Sequence, residues 1–375
     1  MSRNETQSQA QTLTGKSPRP AIIISAHMLA EYSIFLEHLL VGLADESVPT
    51  ALVCPTRTSV DSVVSGTAEI IRDSTIDLPL VRHLNGNILI EQIDKFQPSI
   101  LHCLCETKAS LVRWVARQLD LPYTLMVSSL RKPWTRLSIS LDRCARVIVP
   151  AATIAANFKH LHPHFADRII QINVGTFTGD DIVCFSEPSH LTSIVIAHPL
   201  KSVTDFQNVF SAARRLIIDG YEFLLAVMGE GLAEGKLWKL LSKLNLSQSV
   251  TVIPRLQPWR SFVASGDIFI QPQPVYRFNP MLLEAMGVGA AIAACKGGVD
   301  DLIIPERTAV VFNPEDEVSV RAALQNLLDR RESARQLARQ AQQYVRENHS
   351  VSEMVSATLQ VFRETQTCST SKTFS

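Results

Sequence analysis

The chain has 375 residues, 46% of them hydrophobic, and its 36 basic and 36 acidic residues give a formal net charge of zero. This length exceeds one ordinary core and predicts two domains of about 150–200 residues each. A balanced charge lacks the basic surface that drives nucleic-acid binding through counterion release, so no nucleic-acid partner is expected. No apolar run approaches the ~20 residues that cross a bilayer, which predicts a soluble or at most peripheral protein.

The seven cysteines lie mostly in apolar stretches and form no paired framework. They indicate reduced thiols in the core and a cytoplasmic compartment. Cys103 and Cys105 are separated by one residue, whereas the usual zinc or redox pair has two, so no metal site is expected. Residues 1–18 and 367–375 are polar, and we predict that both are disordered tails without a signal peptide.

In chain order, short β-rich runs alternate with amphipathic helical segments, which is typical of parallel sheets with crossover helices. The first series comprises strand 21–26, helix 30–43, strands 50–55 and 99–104, helix 108–119, and strands 123–128, 146–150 and 168–172. The first domain is therefore predicted to span 19–182.

A second series follows and predicts another domain of the same kind over 183–350. It comprises strand 192–198, helix 206–218, strand 223–229, helix 232–244, strands 250–254 and 267–274, a helix at Glu284, and strands 290–295 and 308–313. We predict an α/β protein with two Rossmann-like, doubly wound domains that face each other across a cleft. Such domains bind ligands at the carboxyl ends of their strands, so the cleft is the expected site.

The most informative motif begins with FIQPQP, continues through LLEAMGVG and ends at Gly297-Gly298. Pro280 suits the first turn of a helix, which places Glu284 in the first turns. Free N–H groups at a helix start attract anions, and a glycine pair lets a second backbone approach a ligand. A carboxylate beside a diphosphate suits sugar hydroxyls, so the motif predicts a nucleotide site. The alternative is a helix-dipole role for Glu284 and an ordinary glycine turn.

With these elements in this order, the chain resembles glycosyltransferases of the GT-B fold, specifically the retaining family 4 or group 1. The segments that carry the resemblance from about 145 to 365 include VMGEG, VTVIPRL, SGDIFIQPQ, LLEAMGVG, GGVDDLI, VVFNPED and VSEMVSATLQVFRET. The resemblance implies an acceptor-binding first domain and a second domain that binds a nucleotide sugar. It also implies that a terminal helix, 351–366, packs back on the first domain.

The resemblance further implies roles for individual residues in the donor site. Lys201 contacts the donor diphosphate, where a flexible cation suits the departing nucleotide, and Glu284 binds the nucleotide ribose. Gly229 and Gly231 belong to the loop that lines the nucleotide, and Arg255 and Leu256 to the stretch beside its base. Phe278 and Asn279 precede the helix of Glu284 and also belong to the donor site. The glycine pair Gly297 and Gly298 is structural or faces the phosphates.

The sequence departs from the family pattern where the sugars bind. Eight residues before Glu284 the family has a glutamate that contacts the donor sugar, whereas this chain has Tyr276 followed by Arg277. The arginine that precedes the family's lysine has no equivalent, and His198 stands there as a positive or neutral donor. On the acceptor side, the chain lacks the family's glycine-rich turn and one of its histidines. We expect His27 or Glu31 to face the cleft in place of the turn, with an ordinary loop or helix role as the alternative, and Ser128 or Ser129 to stand in place of the histidine.

We therefore expect a retaining hexosyltransferase that uses a nucleoside diphosphate sugar and a glycan or lipid-linked acceptor, without an obligatory metal or cofactor. Two alternatives remain open, a non-catalytic GT-B relative that binds nucleotide or glycan, and a nucleotide-sugar epimerase of the same fold. The basic segment 131–136 allows a peripheral contact with an anionic inner membrane surface, or with an acceptor phosphate, and its alternative is a solvated loop. The oligomeric state is left open.

Overall fold

The computed structural model describes residues 17–60, 66–74, 82–187, 190–254 and 259–370. Two sheets, of seven and six strands, contain only parallel pairings among these residues. Each sheet belongs to one Rossmann-like α/β domain. The predicted fold class, two such domains in the GT-B arrangement, is confirmed.

The first sheet has the strand order β3-β2-β1-β4-β5-β6-β7. The strand order reverses beside β1, and the crevice at the carboxyl end of such a switch point is where doubly wound sheets bind ligands. Its strands are β1 (Pro20–Ile23), β2 (Ala51–Pro55), β3 (Glu69–Asp73), β4 (Ile100–Cys103), β5 (Tyr123–Met126), β6 (Cys144–Val149) and β7 (Ile169–Gln171).

The second sheet has the order β10-β9-β8-β11-β12-β13, so its switch point lies beside β8. The central strands β11 and β12 are buried along their whole length, as expected for parallel strands covered by helices on both faces. Its strands are β8 (Thr192–Ala197), β9 (Phe223–Met228), β10 (Val250–Ile253), β11 (Ile268–Gln271), β12 (Ala291–Ala294) and β13 (Val310–Val311).

The helices connect successive strands and cover both sheets. None of those within the described ranges is long and apolar enough to span a membrane. They are α1 (Ala26–Glu31), α2 (Ser33–Asp45), α3 (Arg82–Phe96), α4 (Ala109–Gln118), α5 (Ala152–Leu161), α6 (Thr204–Ile218), α7 (Glu234–Lys243), α8 (Arg260–Ala264), α9 (Pro280–Gly287), α10 (Glu317–Asp329), α11 (Arg331–Asn348) and α12 (Val351–Thr370).

The predicted single helix over 30–43 is wrong, because the structure has two helices, α1 and α2, that meet at Tyr32. Tyr32 leaves helical geometry, with φ −112° and ψ 25°. Its buried hydroxyl donates a hydrogen bond to the Phe278 carbonyl oxygen in the second domain, at 2.8 Å. The break therefore places a hydrogen bond between the domains.

The last helix, α12, returns to the first domain. The ring of Phe362 lies against the ring of His102 on β4, with centroids 5.2 Å apart. Glu364 forms an ion pair with Arg146 of β6, with 3.6 Å between Oε2 and Nη2. These contacts tie the end of the chain to the first sheet.

His102 makes the stability of this packing depend on pH. It is buried in β4, with Nδ1 2.7 Å from the Thr124 hydroxyl, and burial lowers its pKa to about 3. Because the unfolded pKa is about 6.5, the stabilisation is complete above that pH and is lost as the pH falls towards the folded value. Between pH 7 and pH 5 we expect this residue alone to lower the free energy of unfolding by about 2 kcal/mol.

Urea denaturation at the two pH values tests this expectation in His102→Gln, which removes the titrating ring. The difference in unfolding free energy between pH 7 and pH 5 should shrink by that amount. His164→Gln, at an exposed ring, is the matched control and should leave the difference unchanged. An unaltered pH dependence in His102→Gln would contradict the assignment.

Candidate functional site

A cavity of about 670 Å³ lies where the two domains meet, at the carboxyl ends of their strands. The loops that follow β8, β11, β12 and β13, together with Met228 at the end of β9, line it from the second domain, and α1 lines it from the first. Its charged and titratable lining residues are Glu31, His198, Lys201, Asp205, Tyr276, Arg277, Lys296 and Glu315. The cleft predicted from the sequence is therefore present.

Two lysines supply cationic side chains to a cavity whose lining also carries one arginine and three carboxylates. Lys201 follows β8 and Lys296 follows β12, and both are exposed. Within the described ranges neither amine is in an ion pair, so both are available to an anion in the cavity. Lys296 was missed in the sequence, although a basic residue directly after a buried strand is a recognisable signal for this edge of a parallel sheet.

His198 lies beside Lys201 and is mostly buried. Its Nε2 is 3.7 Å from Oδ2 of Asp205, and its ring meets the ring of Phe206 edge-on, with centroids 5.6 Å apart. Burial lowers its pKa, Asp205 opposes that effect, and Lys201 adds to it. The imidazole is therefore neutral at physiological pH, and of the two roles left open by the sequence the neutral one is favoured.

Gly229 and Gly231 position the loop that carries His198 and Lys201 without lining the cavity themselves. A Cβ atom on Gly229 would come within 2.1 Å of the His198 carbonyl oxygen, and one on Gly231 within 2.1 Å of the Leu200 carbonyl oxygen. Only glycine permits these approaches. The two glycines therefore act on the site through the backbone of the neighbouring loop.

Gly297 and Gly298 likewise support the cavity lining. Their N–H groups donate to the carboxylate of Asp300, at 2.8 and 3.1 Å, so both donors are engaged within the chain. A Cβ atom on Gly298 would lie 2.2 Å from the carbonyl oxygen of Val275, whose segment lines the cavity. These contacts favour a structural role for this glycine pair over a phosphate-facing one.

Gly298→Ala is expected to lower the free energy of unfolding by about 1–3 kcal/mol, because backbone must shift to admit the methyl group. Urea denaturation measures the loss. Gly235→Ala is the matched control, since an added Cβ there meets nothing within 4 Å on α7, and it should stabilise by about 0.5–1 kcal/mol. Equal stability of the two variants would show that the backbone at Val275 moves to admit the methyl group at no cost.

A short backbone pairing, here called the interdomain bridge, joins residues 128–130 to residues 276–278. The N–H of Phe278 donates to the Ser128 carbonyl, and the N–H of Leu130 donates to the Tyr276 carbonyl, each at 2.8 Å. Glu106 fixes Ser128 and Ser129, because its Oε1 accepts hydrogen bonds from both of their backbone N–H groups. The two serines therefore help to build the bridge and do not line the cavity.

The side chains of Tyr276 and Arg277 extend from the interdomain bridge to the cavity. The Tyr276 side chain is 62% exposed and lines the cavity. The guanidinium of Arg277 forms a close ion pair with Oε2 of Glu31 from the first domain. Oε1 of Glu31 lies 3.4 Å from Nε2 of His27, which is exposed and lies outside the lining. Of the two α1 residues predicted to face the cleft, Glu31 does so directly.

Glu284 is the fifth residue of α9 and is only 3% exposed. The Thr176 hydroxyl donates to its Oε1, and Nε of Arg260 lies 3.3 Å from its Oε2. Burial raises its pKa, whereas Arg260 and the hydrogen bond from Thr176 lower it. The carboxylate thus joins α9 and α8 to Thr176 in the interdomain linker, which is the segment between β7 and β8, and it does not line the cavity.

One oxygen of Glu284 retains capacity for a ligand. Its Oε2 has no hydrogen-bond donor among the described residues, although it is fully buried beside the Arg260 side chain. Arg260 is itself held by a 2.6 Å hydrogen bond from Nη2 to the Phe177 carbonyl oxygen. An ionised carboxylate can accept several hydrogen bonds, so Oε2 could accept a hydroxyl if one reached it.

Asn279 and Phe278 prepare the start of α9. Asn279 lines the cavity and caps the helix, because its Oδ1 accepts from the N–H groups of Met281 and Leu282 at 3.1 and 3.3 Å. Phe278 also contributes to the lining but is otherwise buried. Two of the helix-start N–H groups are therefore taken by the cap. Arg255 and Leu256 lie outside the described residues.

Comparisons with known proteins agree with this architecture. Residues 188–344 match the family model of glycosyl transferases group 1. No curated protein matches the chain in sequence.

Solved structures share the whole two-domain fold. A glycosyltransferase from Rickettsia africae has a TM-score of 0.77 at 14% identity, covering 94% of this chain and 99% of its own. HepE from Anabaena, with UDP and glucose, has a TM-score of 0.75 at 10% identity, covering 92% and 100%. Sucrose-phosphate synthase from Thermosynechococcus elongatus has a TM-score of 0.71 at 15% identity, covering 94% and 100%. The chain therefore has the two-domain GT-B fold, and its residues 188–344 match the glycosyl transferases group 1.

Proposed function

We propose that the protein transfers a hexose-type sugar from a nucleoside diphosphate sugar to a glycan or lipid-linked acceptor, with retention of anomeric configuration. The observation that carries the proposal is the placement of Lys201 and Lys296 in a cavity between two domains, the second of which is a glycosyl transferase group 1 domain. Charge develops on the nucleoside diphosphate as it departs, and cations held at that point stabilise the transition state.

In this proposal the two lysines bind the diphosphate and offset its charge, so that no metal or other cofactor is obligatory. Glu284 binds the ribose through Oε2, and the neutral His198 donates or accepts a hydrogen bond beside Lys201. The acceptor binds on the first-domain side and is held against the same face of the sugar that the nucleotide leaves. Attack from that face keeps the anomeric configuration of the sugar, so the positioning of the acceptor supports retention. HepE, which has the same fold, is solved with UDP, so UDP is the first nucleotide to test.

We place this reaction in the cytoplasm, with the loop 131–136 available to an anionic membrane surface. Trp134 in that loop is 75% exposed, and Nζ of Lys132 lies 5.5 Å from the centre of its ring. An exposed aromatic ring among basic side chains suits the boundary between headgroups and acyl chains. This contact would bring a lipid-linked acceptor to the first domain.

A second function is favoured by Tyr276 in the cavity lining. Where the resemblance places a glutamate that contacts the donor sugar, this chain presents a largely exposed phenol ring. A relative that binds a nucleotide sugar without transferring it would tolerate that change. It predicts binding without turnover.

A thermal-shift screen against UDP, GDP, ADP and their glucose or mannose conjugates tests the proposal, followed by an assay for nucleotide release with the stabilising donor. Stabilisation together with hydrolysis or transfer supports the transferase, and proton NMR of the product reports whether configuration is retained. Stabilisation without turnover supports the non-catalytic function. No stabilisation by any nucleotide would refute both.

A further inference from the structure

Glu31 is the residue that the first domain contributes to the described lining of the cavity. It ends helix α1, the six-residue helix that follows β1 at the switch point of the first sheet. Its side chain is 11% exposed, so it is nearly enclosed yet still reaches the cavity. A carboxylate in this position is costly to bury unless charged or polar partners satisfy it.

The main partner of Glu31 comes from the other domain. Arg277 forms the ion pair with Oε2, although the two residues are 246 positions apart in sequence. The interdomain bridge holds the backbone on either side of Arg277, through the Tyr276 carbonyl and the Phe278 N–H. The carboxylate is therefore fixed in direction as well as in position.

This arrangement has the chemistry of a sugar-hydroxyl site. An ionised carboxylate offers about four lone-pair positions, and a guanidinium offers five N–H donors, so the contacts of Glu31 with Arg277 and His27 do not exhaust either group. Neighbouring hydroxyls of a hexose donate to the first group and accept from the second. Of the other carboxylates in the cavity, Asp205 faces His198, and Glu315 is exposed in the loop after β13.

We propose that Glu31 binds hydroxyl groups of the donor sugar and that Arg277 is its positioning residue. This inference rests on the proposed function, because it assumes that a nucleoside diphosphate sugar occupies the cavity. It assigns the sugar-binding carboxylate to the first domain, whereas the diphosphate-binding lysines belong to the second. Sugar binding therefore requires the two domains to be joined at the interdomain bridge, and binding of the nucleotide alone does not.

Calorimetric titration of the full-length protein and of Glu31→Gln tests the proposal with UDP and UDP-glucose, GDP and GDP-mannose, or ADP and ADP-glucose. The pair used is the one whose nucleotide binds the wild-type protein. Glu31→Gln should bind the nucleoside diphosphate as the wild type does and the sugar nucleotide about tenfold more weakly, because a hydrogen bond to a charged group is lost. Glutamine keeps the side-chain size and a partner for Arg277.

Two further variants separate sugar binding from general effects. Glu37→Gln removes the same charge from the same domain, at an exposed position of α2 outside the cavity lining, and should leave the sugar-nucleotide affinity unchanged. Arg277→Ala should weaken binding of the sugar nucleotide without weakening binding of the nucleoside diphosphate. Arg277→Lys should keep part of the sugar-nucleotide affinity. The double variant of Arg277→Ala with Glu31→Gln should bind the sugar nucleotide only slightly more weakly than either single variant.

The outcomes distinguish this inference from the function on which it rests. If no nucleotide binds the wild type, the proposed function fails and the inference fails with it. If nucleotides bind but Glu31→Gln retains the full sugar-nucleotide affinity, or Glu37→Gln loses as much, the inference alone is overturned. A raised KM for an acceptor with unchanged donor affinity would also overturn it, because Glu31 would then serve the acceptor.

Discussion

Replacing Lys201 and Lys296 together by alanine is expected to weaken nucleoside diphosphate binding by about 10³-fold, and each single replacement by about 10–100-fold. Both amines reach the cavity from loops at the carboxyl ends of β8 and β12, and neither is in an ion pair within the described ranges. A diphosphate carries more than one negative charge, so both lysines contribute to its binding. The loss of affinity in the double variant should therefore exceed the loss in either single variant.

Titration of the nucleotide at low and high salt measures this effect. The loss should be larger at low ionic strength, because salt screens the attraction between partly exposed charges. The control is the double variant Lys236→Ala and Lys239→Ala, which removes two exposed lysines from α7 outside the cavity. If the control weakens binding as much as the cavity variant does, net charge decides the affinity and the assigned diphosphate site is wrong.

Much of the fold could be predicted from the sequence because its central strands are short, buried and apolar. The predicted strand 50–55 is Ala51–Pro55 in the structure, and 192–198 is Thr192–Ala197. Most of the elements that were missed have charged or weakly periodic residues; the missed elements are β3, α3, α5, α8, α10 and α11. Strand β3 lies at the sheet edge with Glu69, Arg72 and Asp73 in five residues, and such a composition is not typical of a buried strand.

The site was only partly predictable, because several of its contacts join residues far apart in sequence. Lys201 could be placed by resemblance, and the structure puts it in the cavity. The ion pair of Glu31 with Arg277 depends on how two domains face each other, which no local pattern records. In the same way, the Thr176 and Arg260 partners of Glu284 come from the linker and from a short helix that was not predicted.

Glu284→Ala should lower the free energy of unfolding by about 2–3 kcal/mol, because it removes a charge-assisted hydrogen bond to Thr176 and leaves a small cavity. It should also weaken nucleotide binding by about tenfold if Oε2 accepts a ribose hydroxyl. The first effect follows from the buried contacts with the linker and α8, and the second from the proposed ribose contact. Stability and binding must therefore be measured separately, by urea denaturation and by titration at a temperature where the variant stays folded.

Thr176→Val separates the two roles of Glu284. It removes the hydroxyl that donates to Oε1 and nearly keeps the side-chain volume, so it should lower the free energy of unfolding by about 1 kcal/mol. Oε2 and Arg260 are left in place, so nucleotide affinity should match the wild type. If Glu284→Ala lowers stability but binds nucleotide as tightly as Thr176→Val does, the ribose role is rejected. The carboxylate then serves only to hold the linker against α9, and the nucleotide site consists of the cavity lining alone.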